Sequence, residues 1–160
     1  MSTATLTKSK VTPIPKGYHT ATPYLTVQGA ASAIDFYKKA FGAQELFRMP
    51  GPDGKIAHAE IAIGDSHIML ADESKNGETR APQSLKGTSS GIFLYLEDVD
   101  ATFAQALKAG AKQYQAPQDM FWGDRFGKLT DPFGHVWLLA THIEDVSPAE
   151  MQTRMAAASK

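Results

Sequence analysis

Asp65-Ser66-His67-Ile68-Met69-Leu70 and Phe133-Gly134-His135-Val136-Trp137-Leu138 share one pattern: a turn, a histidine, then an apolar run. The two histidines stand 68 residues apart, and the same spacing relates Gly42-Ala43 to Gly110-Ala111, each pair closing a helical segment. Tyr24-Leu25-Thr26-Val27 precedes the first helix and Phe93-Leu94-Tyr95-Leu96 the second, at one residue more. A repeat this long is a duplicated supersecondary unit, since solenoid repeats run about 20–50 residues. Two like units close around a shared crevice, and function is expected there.

Each unit reads as β-α-β-β-β. In the first, Tyr18 to Val27 alternates aromatic or β-branched residues with polar ones, as a strand does. Ala30 to Phe41 carries Ile34, Tyr37, Lys38 and Phe41 at helical spacing, with Gly42 as a left-handed stop. Strands follow over Gln44 to Met49, Lys55 to Ile63 and Ser66 to Ala71, the first two joined by the turn Pro50-Gly51-Pro52-Asp53-Gly54. Asp72 to Ser90 reads as a polar connector. In the second unit Gly91 to Leu96 is a strand, and Asp98 caps a helix from Val99 to Ala109 with Phe103, Ala106 and Leu107 buried. Strands over Lys112 to Ala116 and Phe126 to Thr130 flank a Trp-Gly loop, and His135 to Thr141 is the last strand. Ser147-Pro148-Ala149-Glu150 is a capping box for a tail helix, with Met151 and Met155 on one face expected to cover a core edge. The expected organisation is a flexible arm at 1–17, a first module at 18–72, a linker at 73–90, a second module at 91–142 and a tail at 143–160. The fold class is α+β, with curved mixed sheets around a cavity.

Bulk composition narrows the functions. The chain has 160 residues, enough for one ordinary domain or two half-domains sharing a core. Its net charge of −1 shows no basic face, so nucleic acid is not an expected partner. It has no cysteine, which removes thiolate chemistry, disulfides and cysteine-type zinc sites. Met1 to Lys10 holds charges and no apolar run, so no signal peptide is expected. No apolar stretch approaches the ~20 residues of a spanning helix, so no membrane partner is expected either. The expected location is the cytoplasm.

Four phrases carry a resemblance: Ile34-Asp35-Phe36-Tyr37, Phe41-Gly42-Ala43, Trp122-Gly123-Asp124-Arg125 and Asp131-Pro132-Phe133-Gly134-His135-Val136-Trp137. With the doubled β-α-β-β-β pattern, they resemble the vicinal oxygen chelate superfamily, which holds glyoxalase I, bleomycin-resistance proteins and extradiol dioxygenases, and within it the PhnB-like branch. The resemblance covers about Tyr18 to Met155. It implies two modules edge to edge around a U-shaped cavity, helices on the convex side, and a homodimer.

In metal-dependent members the resemblance implies a divalent ion held by His and Glu from the first and last strands of each module, polarising vicinal substrate oxygens. Aligned on the helix and turn motifs, those positions fall at about Thr22, Leu70, Gly91 and Leu138. None supplies the imidazole or carboxylate donors such an ion takes, and a one-residue slip to Trp137 or Leu139 does not help. The expected cofactor is therefore none.

His58 and Glu60, two apart on a strand, share the face opposite Ala57, Ala59, Ile61 and Ile63. They are the candidate catalytic pair, with three uses open: an acid–base pair in which the carboxylate orients the imidazole, two ligands of an atypical metal, or a solvated hydrogen-bonded pair. Phe121, Trp122, Asp124 and Arg125 are the candidate ligand contacts, an aromatic pair beside an acid and a base suited to a planar ligand. His67 and His135, read as equivalent starts of edge-like strands, suggest structural hydrogen bonds. Phe36, Tyr37, Phe103 and Trp137 read as core, as do Met49 and Met69. The leading reading is a PhnB-like protein that binds a small organic molecule in a cavity. The alternative is a glyoxalase-type lyase or isomerase using His58 and Glu60. A third, weaker reading is a partner-binding module recruiting through the arm and tail.

Overall fold

Glycines end the helix of each module. Helix α1 (Ala30–Phe41) stops at Gly42, φ 66°, and α3 (Val99–Ala109) at Gly110, φ 118°. Both turn left-handed, and their amides return to carbonyls of the last turn. Asp98 caps α3, its Oδ1 accepting the Ala101 amide at 2.9 Å. Around these helices the computed structural model, which describes residues 11–158, sets two copies of one unit. The first comprises β1 (Tyr24–Val27), α1, β2 (Gln44–Pro50), β3 (Ile56–Ile63) and β4 (Ser66–Asp72). A one-turn helix α2 (Pro82–Leu85) lies in the connector. The second comprises β5 (Gly91–Tyr95), α3, β6 (Lys112–Asp119), β7 (Asp124–Thr130) and β8 (Val136–His142), and α4 (Pro148–Ala158) follows.

Each unit forms a four-stranded mixed sheet, ordered β1-β4-β3-β2 and β5-β8-β7-β6, and neither closes into a barrel. The outer strands β1 and β5 pair in parallel with β4 and β8, and the other pairings are antiparallel. The α+β class and doubled topology are as expected; several local details are not. β1 begins only at Tyr24, so Tyr18 to Pro23 runs outside the sheet. β6 extends to Asp119 and β7 starts at Asp124, which shortens the Trp-Gly loop. Residues 1–10 of the expected arm, and 159–160 of the tail, lie outside the described residues.

The repeat has a phase slip that the histidines conceal. Ile61 opposes Ile68 in the first sheet, and Leu129 opposes Trp137 in the second. The spacing is thus 68 residues on β3 and β7 but 69 on β4 and β8. The β7–β8 turn is one residue longer than Gly64-Asp65. His67 is therefore the counterpart of Val136, not His135, and both strands are interior rather than edge-like.

The halves share one core. α1 and α3 pack on each other, each against its own sheet. Phe36, Tyr37, Phe103 and Trp137 are all buried, and the Trp137 ring lies 4.6 Å from Phe41 and 5.3 Å from Tyr37. In their midst sits Asp131, 3% exposed. Its Oδ2 accepts the Tyr37 hydroxyl at 2.8 Å and the Trp137 indole N–H at 2.9 Å. Its Oδ1 accepts the amides of Phe133 at 2.8 Å and His135 at 2.9 Å. Four donors meet a carboxylate whose burial would otherwise be costly. Gln105 adds a second tie, donating to the terminal α1 carbonyls of Lys39 and Ala40 at 2.7 and 3.2 Å.

α4 departs from expectation. Ser147 caps it, accepting the Glu150 amide at 3.2 Å, but it has no buried residue and Met155 is 58% exposed, so it covers no core edge. Arg154 ties it to the preceding segment through Glu144 at 2.7 Å and braces it internally through Glu150 at 2.8 Å.

Replacing Asp131 with Ala would strand the Tyr37 and Trp137 donors in the core, each costing about 1–3 kcal/mol. The expected loss is about 3 kcal/mol or more, against about 1 kcal/mol for Tyr37→Phe, which leaves one acceptor atom still served. Urea unfolding at unchanged m-value measures both; equal losses would show that Asp131 is not the tie.

Candidate functional site

The strands' alternation sorts each sheet into a helix face and an open face. On β3, Ala59, Ile61 and Ile63 face α1 and are buried, while His58 and Glu60 lie half-buried on the open face, 22% and 24% exposed at the side chain. The pair is in contact, His58 Nε2 to Glu60 Oε1 at 3.2 Å. A carboxylate only accepts, so Nε2 carries the proton. That tautomer leaves Nδ1 to accept from the Tyr24 hydroxyl, 3.3 Å away. Tyr18 donates to the other Glu60 oxygen, Oε2. These bonds set the titration. The Tyr18 hydrogen bond, helped by His58, holds Glu60 below the usual carboxylate range against its partial burial. Burial and the Glu60 charge push the Tyr18 phenol up to about 12. At neutral pH Glu60 is an ionised carboxylate that accepts from the neutral phenol of Tyr18.

Apolar side chains surround this cluster. Met69 stands opposite Glu60 across the β3–β4 pairing, and Met49 opposite His58 across β2–β3. Both methionines lie on the open face, Met49 46% exposed, rather than in the core. A cleft of about 480 Å³ opens here, walled by Pro13, Ile14, Tyr18, Glu60 and Met69. A second cleft of about 400 Å³ separates the β1 and β5 edges. Its imidazole, His135, is engaged by the Thr26 carbonyl at 2.9 Å, a bond between the two halves.

The second module carries a different constellation. Asp124 is buried at the start of β7 and accepts from Trp122 Nε1 at 3.0 Å, Tyr95 at 3.2 Å and His142 Nδ1 at 2.8 Å. Phe121 packs edge-on against Trp122, 5.0 Å between centroids. Phe121, Trp122 and Asp124 thus come together, and Arg125 does not. It points to the helix face, bound to Asp100 at 2.5 Å and Asp119 at 2.9 Å. One residue along a strand reverses the side, which the sequence grouping of the four overlooked. Gly123 explains the loop: at φ 96° a Cβ would meet the Glu144 carbonyl oxygen at 2.1 Å, and its own carbonyl accepts the Ile143 and Glu144 amides at 2.9 and 3.0 Å.

The metal positions implied by the resemblance do not fit an ion. Leu70 faces α1 and is wholly buried. Thr22 lies ahead of β1, Gly91 has no side chain, and Leu138 is apolar. Among the described residues no three His, Cys, Asp or Glu side chains gather as a ligand set.

The sequence model of the Glyoxalase/Bleomycin resistance protein/Dioxygenase superfamily matches residues 18–139. The chain belongs to this superfamily. It is 48% identical over 136 residues to an uncharacterised protein of Mycobacterium tuberculosis, covering 83% of this chain and 80% of that one. The protein YjdN of Escherichia coli is 31% identical over 142 residues, covering 73% and 91%. The fold matches a solved PhnB protein from Bacillus cereus, described as a putative 3-demethylubiquinone-9 3-methyltransferase, at TM-score 0.60 and 19% identity, covering 77% and 99%. Superfamily membership accounts for the paired modules.

Two members of the β3 cluster escaped the sequence reading. Tyr24 had a signal, since alternation along Tyr24-Leu25-Thr26-Val27 places it opposite the buried Leu25 and Val27. Tyr18 had none, because it stands outside any regular element.

His142 yields a pH prediction. Its ring is held between Asp124 and Asp145, at 2.8 and 2.9 Å, and the two carboxylates raise its pKa, Asp145 most. A raised folded-state value adds stability below the unfolded value of about 6.5 that is lost as pH rises through the folded one. His142→Asn should therefore destabilise the protein more at pH 5.5 than at pH 9. A pH-independent difference in denaturation midpoint would refute the clamp.

Proposed function

We propose that this protein binds a small organic molecule in the cleft of the first module, with His58 and Glu60 as its polar contacts and without the superfamily's usual metal centre. The observation that carries this reading is one hydrogen-bonded Tyr18–Glu60–His58–Tyr24 cluster beside a cleft walled by methionine, proline and isoleucine, with His19, Thr20 and Thr22 among them. Ligand sites have this composition, a few convergent polar groups fixing orientation and apolar surface supplying affinity. Methionines at Met49 and Met69 suit a pocket that adapts to its guest. The aromatic surface at Phe121 and Trp122 is a secondary contact region, its Trp122 ring oriented by Asp124. A cytoplasmic homodimer is the assembly we propose. Phe93 and Tyr95, 43% and 65% exposed on the open face of β5, are the side chains a second copy would cover.

The second reading is catalysis. His58 is oriented at both nitrogens, by Glu60 and Tyr24, which is how an imidazole is held to accept and return a proton. A glyoxalase-type lyase or isomerase on a small oxygenated substrate would use it so.

Elemental analysis before and after dialysis against a chelator, followed by a thermal-shift screen of small organic molecules, decides between these readings. A ligand at 100 times its Kd should add about 2.7 kcal/mol. For this chain length that raises Tm by about 5–10 °C. His58→Ala and Glu60→Leu should each weaken that ligand about tenfold or more. One divalent ion per chain, removed with loss of stability, would overturn the metal-free reading. Ligand turnover abolished by His58→Ala, with binding retained, would move the function to catalysis.

A further inference from the structure

The segment Pro13 to Tyr18 crosses the open face of the first module as a strap. It is weakly held. Among the described residues, the hydrogen bond that joins residues 11–22 to the rest of the chain is that from Tyr18 to Glu60. Ile14 remains 49% exposed although it walls the cleft. The ring of Tyr18 is nevertheless closely seated. It meets His67 edge-on, 4.4 Å between centroids at 89°. The chain can bring it there because Gly17 takes φ 87° and passes so near His67 that a Cβ would sit 2.9 Å from Cε1.

We propose that the space Tyr18 fills is itself the ligand site: a slot for one aromatic ring bearing a hydroxyl, which Tyr18 occupies in the unliganded protein and vacates when such a ligand arrives. This rests on the reading of the cleft as a small-molecule site and names the class of guest. Three features select it. Glu60 can only accept, so the guest must donate, and a neutral hydroxyl does so without bringing a charge. Among the described residues no lysine or arginine side chain lines the cleft, so a carboxylate or phosphate would face Glu60 without a cation from them. The edge-on contact with His67 is made by a flat ring and not by an aliphatic alcohol of similar size. The phenol of Tyr18 is thus a covalently tethered copy of the guest. Its tether gives it a high effective concentration, which a free guest must outcompete.

The probe is p-cresol, the tyrosine side chain as a free molecule, with toluene and 4-methylbenzoate as controls. Calorimetry with the full chain should show Tyr18→Ala binding p-cresol about tenfold or more tighter than the parent does. It should prefer p-cresol over toluene by about tenfold or more, through the hydrogen bond to a charged acceptor, and should reject 4-methylbenzoate. Adding Glu60→Leu should erase the preference over toluene. Should Tyr18→Ala fold poorly, Tyr18→Phe keeps the ring and removes the bond to Glu60; p-cresol should then displace the strap several-fold more readily than in the parent. Equal p-cresol affinity for the parent and both Tyr18 variants would overturn the proposal, and so would a Tyr18→Ala slot that takes toluene as tightly as p-cresol. If that happens while the parent still takes up another molecule in the screen above, the cleft remains a ligand site and only the tyrosine's role as its surrogate falls. If the parent and the variants bind nothing in either experiment, both readings fall.

Discussion

The structure depends on one buried carboxylate. Asp131 stands where the two halves meet and is exposed by only 3%. An ion in that position is tolerable only when its oxygens are fully supplied with donors, and they come from both modules. Tyr37 supplies one from α1 of the first half. Trp137 and two turn amides supply the others from the second. The same bonds fix the orientation of the largest rings in the core, because Tyr37, Phe41, Phe133 and Trp137 pack on one another around it. With the helix faces fastened this way, the two sheets turn their other faces outward, and it is there that unsatisfied surface is left for binding.

Those outward faces are not alike, although the units are. Register places Phe126 where the first module has His58, and Lys128 where it has Glu60. A ring and a cation cannot do what an imidazole and a carboxylate do. Lys128 instead lies over the Tyr114 ring at 4.3 Å. The imidazole–carboxylate pair is thus confined to the first half. The second half spends its other buried acid, Asp124, on positioning Trp122 and on the His142 clamp that begins the C-terminal segment. A duplicated scaffold has kept its architecture and divided its surfaces.

Much of this was legible in the chain because it is governed by local rules. The period of the helices, their glycine stops, the capping residues Asp98 and Ser147 and the alternation along Ile56 to Ile63 are each set within a few residues, and each is found in the structure. That alternation also put His58 and Glu60 on one face. What could not be read depends on distance in the chain. Tyr18 reaches Glu60 across 42 positions from an irregular segment, and no periodicity marks it. Arg125 adjoins Asp124 in sequence, yet a strand sends neighbours to opposite sides, so chemical grouping by adjacency misled. The tail helix had apolar residues at helical spacing, but spacing shows only that a face exists and not that the core has room for it.

The phase slip between the repeats links the core carboxylate to the cleft. In the first module β3 passes to β4 through two residues, Gly64 and Asp65, and the residue before them is the buried Ile63. The second module has one residue more, and Asp131 sits where Ile63 would be. That extra residue lets the turn curl so that the amides of Phe133 and His135 both point back at the Asp131 carboxylate. It also carries His135 out of the phase of His67 and across to the Thr26 carbonyl on β1, adding a bond between the halves. His67, left without such a role, faces the first module's open side and meets Tyr18. The insertion that binds the modules together therefore also decides which histidine remains beside the cleft.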